Sequence, residues 1–64
     1  MIVKIDIDDG IDKNDAISIS SRILMFNHIN NGNRLDSECG KLRATITQVS
    51  KAGNIFIHVS KVEE

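Results

Sequence analysis

Residues 2 to 8 read Ile-Val-Lys-Ile-Asp-Ile-Asp, with Val3, Ile5 and Ile7 on one side and Ile2, Lys4, Asp6 and Asp8 on the other. Successive side chains of an extended chain point to opposite sides, so this alternation of β-branched and polar residues predicts a strand with one buried face. Asp9-Gly10 supplies turn chemistry at its end. The period then changes. Ala16, Ile19, Ile23 and Phe26 recur at helical spacing, Ile17 and Leu24 form a second stripe on the flank, and Ser20 and Asn27 run between them. Met25 and Ile29 fall on the far side with Ser18 and Arg22. Asp12 is placed to cap the helix start with its carboxylate, Asp15 adds negative charge to the first turn, and Ile11 can pack on Ala16 as a hydrophobic staple. Asn30-Asn31-Gly32 is the stop signal, because Gly and Asn adopt the left-handed conformation that closes helices. The spacing predicts a helix over residues 13 to 30.

Residues 33 to 41 carry no period and read as loop. Alternation returns over 42 to 49, with Leu42, Ala44 and Ile46 inward and Arg43, Thr45 and Thr47 outward. Residues 50 to 54 form a hairpin turn with Gly53 at the positive-φ position. Ile55, Ile57 and Val59 then face in, Phe56, His58 and Ser60 face out, and residues 61 to 64 fray or extend the strand. The order β-α-β-β predicts an α+β fold: one helix on a three-stranded mixed sheet of order 1-3-2. The first two strands are expected parallel, with the most apolar, third strand between them and antiparallel to both. The expected core is Val3, Ile5, Ile7, Ala16, Ile19, Ile23, Phe26, Leu42, Ala44, Ile46, Ile55, Ile57 and Val59.

That architecture leaves one sheet face uncovered, with Ile2, Val49, Phe56 and Val62 among Lys4, Asp6, Thr45, Thr47 and His58. It also leaves unpaired outer edges, which invite strand addition. With 64 residues and one cysteine, no internal disulfide and no Cys-only zinc site can reinforce a small core. Self-association addresses all three difficulties, so a homo-oligomer is expected, most simply a dimer through the outer sheet face, a sheet edge or the Ile17/Leu24 flank.

Composition narrows the class. A 41% hydrophobic, 27% charged chain of net charge −1 reads as one globular domain spanning residues 1 to 64, not a disordered, strongly basic or heavily acidic one. No apolar run suits a signal peptide or a membrane span, so a soluble, cytoplasmic protein without membrane contacts is expected. Eleven Ile against three Leu, with six Asn, point to an A/T-rich gene and say nothing about chemistry.

Candidate chemistry is sparse. Asp6, Asp8, Asp9, Asp12 and Asp15 crowd ten residues, but Gly10 falls one place too early for a calcium-loop motif, and strand, turn and cap roles account for each carboxylate. Cys39, His28 and His58 show no spacing that builds a metal site or a nucleophile–base pair. No glycine pattern cradles a phosphate. No catalytic residue, metal or cofactor is therefore expected, and the chain is not read as an enzyme. Residues 22 to 62 carry six bases and two acids, and Arg22, Arg34, Lys41, Arg43 and Lys51 could form a positive edge. Phe56 is the single outward aromatic available for stacking, so nucleic acid is not the expected partner. The expectation is a non-enzymatic protein-interaction module, a homo-oligomeric regulator or inhibitor of another, unidentified protein, with phage-encoded inhibitors as one such class. Its interface candidates are Phe56, His58, Thr45, Thr47, Arg43, Ile17 and Leu24. The alternatives are an oligomer that sequesters an anionic ligand or nucleotide between subunits, using Arg22, Arg34 or Arg43 with Phe56 or His58, and a weak nucleic-acid binder.

Overall fold

A computed structural model describes residues 2 to 62. Its elements are β1 (Val3–Ile7), α1 (Lys13–Ile23), β2 (Arg34–Asp36), β3 (Leu42–Val49) and β4 (Ile55–Lys61). The fold is α+β, one helix over one face of a mixed four-stranded sheet of order β1-β4-β3-β2. β4 is parallel to β1 and antiparallel to β3, and β3 is antiparallel to β2. The expected count of three strands is corrected to four. The added strand is short: Arg34-Leu35-Asp36 presents one apolar residue between two charges, too brief a signal for periodicity. It has a large consequence. Each added strand reverses the chain once more, so β3 runs antiparallel to β1 and the last strand runs parallel to it, the opposite of the directions expected. The neighbour order of the three long strands is unchanged.

The helix begins as its sequence dictates. Asp12 has extended backbone (φ −62°, ψ 131°), and its Oδ1 accepts from the N–H groups of Asn14 at 2.8 Å and Asp15 at 3.2 Å. It ends at Ile23, seven residues before the expected stop. Beyond it, Met25 and Phe26 donate to the carbonyls of Arg22 and Ile23 at 3.1 and 3.3 Å, three residues back, which tightens the chain out of the α-helix. The reason is competition from tertiary structure. Asn27, His28 and Asn30 are weak helix formers, and Leu24, Phe26 and Ile29 pack against the core once the chain folds back. A closed turn follows: Asn33 Oδ1 accepts from Asn30 N–H at 2.7 Å, and Gly32 N–H donates to Ile46 O at 2.7 Å. This docks the segment on β3 before β2 starts.

The buried apolar residues are Ala16, Ile19, Ile23, Ala44, Ile46, Ile55, Ile57 and Val59, all within the expected core. Val3, Ile5, Ile7, Phe26 and Leu42 are half-buried against them, joined by Ile11, Leu24, Ile29 and Leu35. Ser20 is also buried, at 1% exposure. No helix among the described residues is long and apolar enough to cross a membrane. Lys61 closes β4, and the expectation for Glu63 and Glu64 lies outside the described residues.

Candidate functional site

The sheet face away from α1 is assembled from alternate residues of all four strands. On central β4, Phe56 lies between Lys4 of β1 and Gln48 of β3, and His58 lies between Asp6 of β1 and Thr45 of β3. Ser60 is opposite Arg43, which is in turn opposite Asp36 of β2, and Thr45 is opposite Arg34. Lys4, Asp6, Thr47, Phe56 and His58 frame a shallow depression of about 490 Å³. The structure therefore gathers five of the seven candidate residues, Phe56, His58, Thr45, Thr47 and Arg43, on one surface.

It does not gather the other two. Ile17 is exposed at 43%, whereas Leu24 caps the helix and packs against the core. The apolar content of the outer face is also corrected. A β-bulge at Thr47 shifts the register, so Ile46 faces Ile57, Gln48 faces Phe56 and Val49 faces Ile55. The extra residue turns Val49 to the helix side of the sheet, because a one-residue shift moves every later side chain to the opposite face. Thr47 Oγ1 donates to the Phe56 carbonyl at 3.3 Å across the irregularity. Val62 lies at the far end of the sheet, in a cleft with Ile11 and Leu42. What remains outside is polar apart from exposed Ile2, just ahead of β1, and half-buried Phe56, its aromatic centre.

One ion pair and one histidine–carboxylate hydrogen bond, ionic when the imidazole is protonated, lie on this surface. Arg43 Nε donates to Asp36 Oδ1 at 2.8 Å. That hydrogen bond, with the charge of Arg43 and, more weakly, Arg34, holds the Asp36 carboxyl below its ordinary range. The same bond raises the pKa of Arg43. His58 Nε2 lies 2.8 Å from Asp8 Oδ1, and this hydrogen bond raises the pKa of the imidazole, outweighing the cost of burial with weaker help from the charges of Asp8 and Asp6. Sequence spacing could not reveal the Asp8–His58 contact, because the partners are fifty residues apart and meet only through the parallel β1–β4 pairing.

The remaining members of the expected positive edge, Arg22, Lys41 and Lys51, do not converge on one another. Arg22 is in the last turn of α1, and Lys41 and Lys51 lie beyond opposite ends of eight-residue β3, separated by roughly 25 Å at strand rise. Cys39 is exposed in the β2–β3 turn. A hydrogen bond between the Ser37 hydroxyl and Cys39 Sγ at 3.4 Å, then one with the Lys41 backbone, lowers the pKa of its thiol. It shares a cleft of about 610 Å³ with Lys41, Lys61 and the start of α1. That proximity of Cys39 to Lys61 arises from the sheet and was not visible in the sequence. Among the described residues, no group of three or more His, Cys, Asp or Glu side chains is placed to hold a metal ion.

No family model matches the chain, and comparison with known proteins and with solved structures finds no match either.

Proposed function

We propose that this chain is a non-enzymatic protein-interaction module, a small regulator or inhibitor that covers a site on another protein with the outer face of its sheet. The observation that carries the reading is Phe56. It stands half-buried on the central strand of an uncovered face, framed by Lys4, Gln48, Thr47 and His58. An aromatic anchor inside a polar rim is the arrangement that concentrates binding energy at protein interfaces, where such side chains often carry ~2 kcal/mol or more. The Asp36–Arg43 ion pair and the Asp8–His58 hydrogen bond, ionic when the imidazole is protonated, give the rim a charge pattern that a partner can complement.

The test separates folding from binding. A photo-crosslinking residue at Gln48, beside Phe56, is used in the native host cell, with and without Phe56→Ser. The reading expects one discrete crosslinked protein that Phe56→Ser abolishes while the melting transition stays cooperative. Crosslinks that persist unchanged in a folded Phe56→Ser protein would assign binding to another surface.

A further inference from the structure

The two edges of the sheet are built differently. β2 is three residues long, and its charges Arg34 and Asp36 flank a single apolar Leu35. Short, charged edges resist the addition of further strands. β1 has five residues, without proline or bulge, and pairs only on its β4 side among the described residues. Ile2 accepts from Ile55 N–H at 2.9 Å, and Asp8 donates to Val59 O at 3.1 Å. Backbone groups alternate in direction along a strand, so the even residues of β1 point to β4. The N–H and C=O groups of Val3, Ile5 and Ile7 therefore point out of the sheet. Their side chains are half-buried, whereas Ile55, Ile57 and Val59 opposite them on β4 are buried. The edge thus offers both unpaired backbone and incompletely covered apolar side chains.

We propose that β1 pairs with β1 of a second copy, antiparallel about a two-fold axis through Ile5, to make a continuous eight-stranded sheet. The sequence selects both the partner and the register. A two-fold axis perpendicular to the sheet sets residues of the same face opposite each other. Centred on Ile5, it places Ile5 opposite Ile5 and Val3 opposite Ile7, all with outward backbone groups, so each pair exchanges both of its hydrogen bonds. The same register sets Lys4 opposite Asp6 of the other copy, twice, on the outer face. Centring on Lys4 or on Asp6 instead opposes two lysines or two aspartates, and like charges directly opposite are destabilising. β1 is self-complementary in one register and penalised in its neighbours.

This inference rests on backbone pairing along an edge, whereas the partner-protein reading rests on Phe56. Lys4 and Asp6 also border that face, so Phe56→Ser, expected to leave the dimer intact, is run alongside and the two can fail separately. Sedimentation equilibrium from 10 µM to 1 mM is run on the wild type, Lys4→Asp, Asp6→Lys and the double exchange, with circular dichroism confirming that each is folded. The wild type is expected to dimerise. Each single exchange, which replaces two attractive pairs by two repulsive ones, is expected to weaken dimerisation about tenfold or more. The double exchange, which restores opposite charges, should return the dissociation constant to within about threefold of wild type. A folded wild type that stays monomeric at 1 mM overturns the proposal and leaves the Phe56 reading standing. A dimer indifferent to the single exchanges, or one not rescued by the double exchange, overturns the register and assigns the interface to another surface.

Discussion

Ser20 lies on the buried face of α1, and its Oγ has no hydrogen-bond partner among the described residues. A hydroxyl removed from water without a partner costs about 1–3 kcal/mol. Ser20→Ala removes that cost and gains a few tenths of a kcal/mol in helix propensity. Against it stands the void left by one oxygen atom, which at about 24 cal/mol per Å³ costs a few tenths of a kcal/mol. The small terms nearly cancel, and the balance is stabilisation by about 1–3 kcal/mol. For a 64-residue chain the unfolding entropy makes each kcal/mol worth roughly 7 °C, so the melting temperature should rise by about 7–21 °C. Calorimetry with Ser18→Ala as control isolates the buried term, because Ser18 is exposed on the same helix and should show only the propensity gain. A Ser20→Ala protein that melts lower than wild type would show that Oγ is satisfied, by rotation onto a carbonyl of the preceding turn, and would refute the argument.

Three further outcomes follow from the same geometry. Ile57 is 1% exposed on the central strand, so Ile57→Asp buries an unpaired charge at a cost of several kcal/mol and should abolish cooperative unfolding; a folded variant would refute the placement of the core. The raised pKa of His58 means that its pairing with Asp8 stabilises the fold fully below the ordinary value of 6.5 and is lost as pH rises through the raised folded value. Exposure keeps this below about 1 kcal/mol, so the imidazole NMR titration is the sensitive readout, and Asp8→Asn should lower the His58 midpoint. The lowered pKa of Cys39 predicts that its iodoacetamide alkylation gains thiolate character at lower pH than an unperturbed thiol, an advantage that Ser37→Ala should reduce.

Strong local signals were legible in the sequence. The alternation of β1, β3 and β4, the Asp12 cap and Gly53 at φ +82° all reflect backbone preferences that act within a few residues. The buried apolar residues of the core were legible for the same reason, since strand and helix periods mark the face that must leave water. What was lost depends on distant parts of the chain. The helix stops at Ile23 because Leu24, Phe26 and Ile29 gain more from the core than from helix continuation. β2 needs only three residues because β3 supplies its hydrogen-bonding partner, and overlooking it inverted the direction of both later strands relative to β1. The bulge at Thr47 breaks an alternation that looks perfect in sequence and carries Val49 to the other face. The candidate surface was therefore readable at Phe56, Thr45 and Arg43, which precede or lie apart from that break, while its ionic frame through Asp8 and Asp36 required the sheet.

The division of labour within β1 is the most direct test, since one strand is held to bind β4 through alternate residues and a second copy through the rest. Residue-resolved amide hydrogen exchange at 10 µM and at 1 mM measures both at once. The amides of Lys4, Asp6 and Asp8 should be protected at both concentrations, because they donate to β4. The amides of Val3, Ile5 and Ile7 should exchange rapidly when dilute and become protected when concentrated. Protection of Val3, Ile5 and Ile7 that does not change with concentration, or rapid exchange of Lys4 and Asp6 throughout, would contradict the account.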